Sequence, residues 1–138
     1  MPGSILIDTC AAIWITEGAK LDAKARAELD HSAQARMPVM VSPTSAWEMG
    51  MLVARQKVLT AVSAQSWFAN LVIPPFSALA PLTAEILINS SFLPGVPPRD
   101  PFDRLFIATA REHGYRIMTR DSKILAYAEQ GHVQAIPC

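Results

Sequence analysis

Four carboxylates stand where a free charge is unusual. Asp8 directly ends the apolar run Ile5-Leu6-Ile7. Glu48 lies among Ala46, Trp47 and Met49, with Met51 and Leu52 three and four residues on, so an acid sits on an apolar helical face. Asp103 begins a stripe continued by Phe106, Ile107 and Ala110. Asp121 follows the short segment Arg116 to Thr119. An acid in apolar company costs free energy unless it is paired, bound to metal or at the edge of the face. Each also has a plainer explanation: Asp8 and Asp121 suit helix caps or turns, Glu48 the margin of an amphipathic helix, and Asp103 the third position of a helix, where the macrodipole favours an acid. Asp100 reads first as the cap of that helix. Together the four make a stronger case than any one. Clustered carboxylates raise one another's pKa unless a cation neutralises them. Hard divalent cations take oxygen ligands, and such a site orients water, lowers its pKa and stabilises charge on a phosphodiester.

Other chemistries find no support. The three histidines, His31, His113 and His132, have no HExxH spacing, and the glycines form neither GxGxxG nor a Walker loop. No GxSxG is present, and Ser42 and Ser45 have no histidine near them in sequence. A phosphatase of the haloacid dehalogenase type also starts from a strand-end Asp but wants a second one two residues on, where this chain has Cys10.

The elements that must hold these acids follow from the pattern. Ile5–Ile7, 38–41, 116–119 and 133–136 read as strands, with an extended segment over 76–82. Helices are predicted over 11–18, stopped by Gly18, and over the Ala-rich stretch 22–36. Ser42 as cap with Pro43 starts a helix to about 56, another covers 62–71, and Thr83 caps one through TAEILINSSFL. The loop PGVPPRDP (94–101) is too proline-rich for regular structure. Asp100 and Pro101 then open a helix closed at Gly114, and a last helix runs from Ser122 to Glu129. Strands alternate with helices, and several strands are apolar runs. The expected fold is one α/β domain over 1–138, a three-layer α/β/α sandwich with a mostly parallel sheet. In such sheets ligands bind beyond the strand C-termini, where Asp8 and Asp121 lie.

Twelve basic residues balance twelve acidic ones, so no global field attracts a polyanion. A local patch would have to serve, and Arg99, Arg104, Arg111, Arg116, Arg120 and Lys123 hold half of the basic charge. Two distant cysteines make no disulfide framework. Cys10 reads as a small buried residue and Cys138 as a frayed end, and a reducing cytoplasmic setting fits. The first residues carry no basic n-region, and no apolar run reaches the length of a membrane span, so neither a secretory signal nor an anchor is expected. Core packing is the default for Trp14, Trp47, Met49 and Met51, with a protein interface as the alternative.

The order of motifs resembles the PIN-domain proteins, and within them the VapC-like toxins of bacterial toxin–antitoxin pairs. The resemblance covers nearly the whole chain through ILIDTC (5–10), SAWEMGMLVARQKV (45–58), LPGVPPRDPFDRLFIATAREHG (93–114) and IMTRDSKIL (117–125), the third being the most specific. It implies a central sheet between helices, cleavage of RNA dependent on Mg2+ or Mn2+, a homodimer and a small antitoxin that covers the cleft. Carried over by position, Asp8, Asp103 and Asp121 would bind metal, and Glu48 would act through water or position the attacking hydroxide. Asp121 matches the family's most variable acid. Asp100 and Thr119 would be accessory, and Arg99 and Arg104 could hold RNA phosphates. The chain departs from the pattern at Pro97-Pro98-Arg99, where close relatives usually carry a histidine. A non-catalytic interaction module on the same fold is the alternative, against which the retention of all four acids argues.

Overall fold

The structure, a computed structural model, describes residues 3–58 and 60–138. Helices separate every pair of successive strands: β1 (Ile5–Ile7), α1 (Thr9–Glu17), α2 (Ala23–Gln34), β2 (Val39–Val41), α3 (Pro43–Ala54), α4 (Ala64–Leu71), β3 (Ser77–Leu79), α5 (Ala84–Asn89), α6 (Pro101–His113), β4 (Arg116–Thr119), α7 (Ser122–Glu129) and β5 (Gln134–Pro137). The strands form one sheet in the order β3-β2-β1-β4-β5. Every pairing is parallel, with Leu6 opposite Met40 on one side of β1 and opposite Ile117 on the other. Parallel neighbours need crossover connections, and the helices supply them.

Period-two alternation divides the core. Ile5, Ile7, Val41, Met118 and Ile136 pack with Ala11, Ala12, Met49 and Trp67 on one face of the sheet. Leu6 and Ile117 pack with Phe106, Ile107, Ile124 and Tyr127 on the other. Strand β1, fully buried, is covered on both faces, so the three expected layers are present.

Capping residues set the helix ends. Ser42 accepts from the Thr44 amide ahead of Pro43, and Asp100 accepts from the Phe102 and Asp103 amides ahead of Pro101. Gly18 and Gly114 close α1 and α6 in the left-handed region. Helix α5 is shorter than the sequence predicts. It ends at Asn89, the Ser90 hydroxyl turns back to the Leu87 carbonyl at 2.6 Å, and the next amides take i−3 partners in place of i−4.

Three further expectations are corrected. Cys10 is exposed, because it lies in the first turn of α1 beyond the end of the sheet. Cys138 is buried: its amide bonds the Thr119 carbonyl, and Arg120 holds its own carbonyl. Trp47 lies on the surface, packed edge-on against Phe102 at 4.5 Å, whereas Met49 is core. Among the described residues no helix is long and apolar enough to cross a membrane.

Candidate active site

The strand order reverses between β1 and β4, since the chain leaves β1 towards β2 and β3 and returns on the other side. The crevice beyond two such strands is where open α/β sheets bind ligands. Asp8 ends β1 there and is buried at 5 % exposure. It caps α1 through the Ala11 amide, which donates to Oδ1 at 2.8 Å. The Thr119 hydroxyl, at the end of β4, donates to Oδ2. Thr119 Oγ1 in turn accepts from the Asp121 amide at 2.9 Å, so one buried hydroxyl ties the first acid to the turn of the last.

Asp121 caps α7, accepting from the Lys123 and Ile124 amides. The explanation as a cap was therefore correct for Asp8 and Asp121, and it does not compete with a place in the site. A cap residue at a strand-to-helix junction of this sheet faces the crevice by construction.

Glu48 sits half-buried on α3, and Thr9 donates to its Oε1 at 2.6 Å. Thr9 also meets Ser45 Oγ at 3.0 Å. Its single proton is used on Glu48, so Ser45 donates to Thr9. Neither hydroxyl was singled out from sequence for this role. The usable signals were the position of Thr9 directly after Asp8, and the i, i+3 spacing that puts Ser45 and Glu48 on one helical face. Asp103, in the first turn of α6, is also partly buried, and among the described residues its carboxylate accepts no hydrogen bond.

Electrostatics shows that the acids are gathered. Burial is the main force raising the Asp103 pKa, to about 7, and the charges of Asp121, Asp100, Glu48 and Asp8 add to it. Burial also raises Glu48, against the Thr9 hydrogen bond and with help from Asp100, Asp8 and Asp121. Asp8 is raised by burial too, partly offset by Thr119 and the Ala11 amide. Although Cys10 is exposed as a residue, its thiol is pushed up to about 11, first by partial desolvation and then by the charges of Asp8, Glu48, Asp121 and Asp103. Asp100 is exposed and remains primarily the α6 cap.

No basic group balances this charge directly. Among the described residues the one ion pair is Arg116 with Glu28, at 2.8 Å, and it involves none of these acids. Nor do three acid, His or Cys side chains already close on one point as a complete ligand set. Mg2+ usually keeps several waters and takes only one or two carboxylates, so it does not need a complete protein ligand set. Oxygen donors without a paired cation fit a hard divalent ion in that manner. A groove of about 950 Å3 lies elsewhere: it runs by Gln134 to Pro137 of β5 and contains none of the four acids.

The expected basic patch is mostly committed to the protein itself. Arg104 donates Nε to the Pro98 carbonyl at 2.7 Å and Nη1 to the Ser90 carbonyl at 3.4 Å. Arg111 bonds the His132 carbonyl, Arg116 the Gly3 carbonyl and Glu28, and Arg120 the Cys138 and Lys20 carbonyls.

Comparison with known proteins agrees with this architecture. The family described as PIN domain matches residues 5–130. Ribonuclease VapC22 of Mycobacterium tuberculosis is 27 % identical over 125 residues, covering 90 % of this chain and 92 % of that protein. Among solved structures, VapBC2 from Rickettsia felis, bound to a DNA fragment from its promoter, matches with a TM-score of 0.65 at 11 % identity, over 96 % of this chain and 97 % of that one. FitAcB from Neisseria gonorrhoeae matches with a TM-score of 0.56 at 18 % identity, over 96 % of each chain. With the acids at the switch point of a parallel sheet and a family match over most of its length, the chain belongs to the PIN-domain family.

Proposed function

We propose that this protein is an endoribonuclease dependent on Mg2+ or Mn2+, and that it is the toxin of a toxin–antitoxin pair. The observation that carries the reading is the group of acids at the β1/β4 crevice, raised in pKa by burial and by one another and, among the described residues, balanced by no ion pair. The similarity to a ribonuclease VapC supports the activity. The similarity to chains solved as VapBC2 and FitAcB supports a small antitoxin as partner.

Asp8, Asp103 and Asp121 would hold the cation. When bound, such a cation lowers the pKa of water and neutralises charge developing on a phosphodiester. Asp8 is held for that task by Thr119 and the Ala11 amide, so its oxygens have fixed directions. Glu48, held by Thr9, orients the attacking water and can accept its proton, since burial raises its affinity for one. Thr119 links Asp8 to the Asp121 turn and keeps their spacing. Water adds across one P–O bond, leaving a phosphate on one fragment and a hydroxyl on the other. A homodimer and a cytoplasmic setting complete the proposal. The exposed Trp47, packed on Phe102, suits a protein contact.

The test is cleavage of RNA by the purified chain with and without Mg2+ or Mn2+. Cleavage is expected only with metal. Asp8→Asn and Asp103→Asn should each lower it by on the order of 10^3-fold, as loss of a main electrostatic group does. Full metal-dependent cleavage by Asp8→Asn would overturn the reading.

A further inference from the structure

Six basic residues crowd positions 99 to 123, and of these the family resemblance singles out Arg99 and Arg104 for RNA phosphates. Their side chains divide into two sets. Arg104 and Arg120 each follow or precede a site acid directly, yet both are turned to main-chain carbonyls. Arg104 spans Pro98 and Ser90. Arg120 spans Cys138 at 2.5 Å and Lys20 at 3.0 Å, and its guanidinium lies 3.6 Å over the Trp14 ring. A planar fork engaged by two acceptors is fixed in direction. Pulling it towards a phosphate would strip these carbonyls of their donors, and Pro98 is buried.

Arg99 and Lys123 differ. Both are exposed, as Arg120 is, but unlike Arg104 and Arg120 neither makes a side-chain bond of this kind among the described residues. Arg99 immediately precedes Asp100, the cap of the helix that carries Asp103. Lys123 lies in the first turn of the helix capped by Asp121. The loop that presents Arg99 is itself fixed. The Tyr127 hydroxyl donates to the Pro94 carbonyl at 2.5 Å. Gly95 has a φ of +68°, and a Cβ there would meet His132 Nε2 at 2.6 Å.

We propose that Arg99 and Lys123 grip the phosphates of RNA at the two helix starts that flank the site. Arg104 and Arg120 are positioning residues, which hold the segments beside Asp103 and Asp121 and touch no phosphate. The assignment rests on the ribonuclease reading above.

Salt dependence separates the two roles. For single strands the logarithm of affinity falls with the logarithm of salt by about 0.7 per phosphate neutralised. The measurement is the affinity of a mixed-sequence single-stranded RNA in Mg2+ across a sodium chloride series, using the full chain with Asp8→Asn to suppress cleavage. Added Arg99→Ala or Lys123→Ala should each reduce the slope by about 0.7 and leave the thermal midpoint unchanged. Added Arg104→Ala or Arg120→Ala should leave the slope unchanged and lower the midpoint. In the otherwise native chain these two should lower kcat more than they raise KM. Arg104→Lys, which keeps the charge but cannot span two carbonyls, should behave like Arg104→Ala, and it replaces that variant should alanine fail to fold. A reduced slope in the Arg104 or Arg120 variants, or an unchanged slope in both Arg99→Ala and Lys123→Ala, overturns the assignment. A native chain that neither binds nor cuts RNA defeats the ribonuclease reading itself and the assignment with it. Native cleavage with the slope pattern reversed defeats the assignment alone.

Discussion

Asp8 and Asp103 face the same crevice and are held in opposite ways. Asp8 is buried at the end of the central strand, and both of its oxygens accept hydrogen bonds. Asp103 rides on the first turn of α6, partly buried, with no donor to its carboxylate among the described residues. Both are raised in pKa chiefly by burial, but Asp103 reaches about 7 whereas hydrogen bonds hold Asp8 back. One acid is built into the frame. The other is left under strain that a cation would relieve. Burial raises both, and donors to the charged form, present at Asp8 and absent at Asp103 among the described residues, offset part of that rise.

The largest effect should come from relieving that strain. A carboxylate whose folded pKa lies above its unfolded value leaves stability untouched below the unfolded value. As pH rises from about 4 towards 7, the folded form retains a proton that the unfolded chain has released. Stability then falls, and it levels off above the folded pKa of about 7. The metal-free chain should therefore melt lower at pH 8 than at pH 5, by on the order of 5 °C. Saturating Mg2+ or Mn2+ should restore the midpoint at pH 8. Asp103→Asn should flatten this dependence more than Asp8→Asn does. Equal flattening by the two, or a midpoint that rises with pH, would break the contrast.

A smaller effect tests the frame side. Thr119→Val removes the donor to Asp8 and the acceptor of the Asp121 amide, both in a buried setting. It should cost about 1–3 kcal/mol in denaturant unfolding, and Thr119→Ser should restore most of it. The smallest effect sharpens the status of Asp100. Asp100→Ala should cost about 1 kcal/mol, as loss of a helix cap does, while cleavage falls far less than in Asp103→Asn. Comparable loss of cleavage in the two would make Asp100 a member of the site.

The legible parts of this molecule are local. Apolar runs gave away β1 and β4, Ser42-Pro43 and Asp100-Pro101 marked helix starts, and all four acids could be named from their neighbours. What stayed hidden depends on contacts between segments far apart in the chain. Thr9 meets Glu48 across 39 residues, and no local rule assigns that hydroxyl to that acid. The capture of Arg104, Arg111, Arg116 and Arg120 is hidden because the carbonyls that hold them belong to other segments, 6 to 113 positions away. Cys10 and Trp47 were misplaced for a related reason. Apolar type favours burial, but each lies on a helical turn that the sheet does not cover.

The order of the strands also bears on time. β1 waits in the middle of the sheet for β4, and Thr119 reaches Asp8 across 111 positions. A ribosome making this chain has emitted the first acid long before the partner that fixes it. Contacts so distant in sequence are late and slow to form. On the reading proposed here, the nuclease centre is complete only once β4 has emerged and docked beside β1, because until then Asp8 lacks the hydroxyl that fixes it.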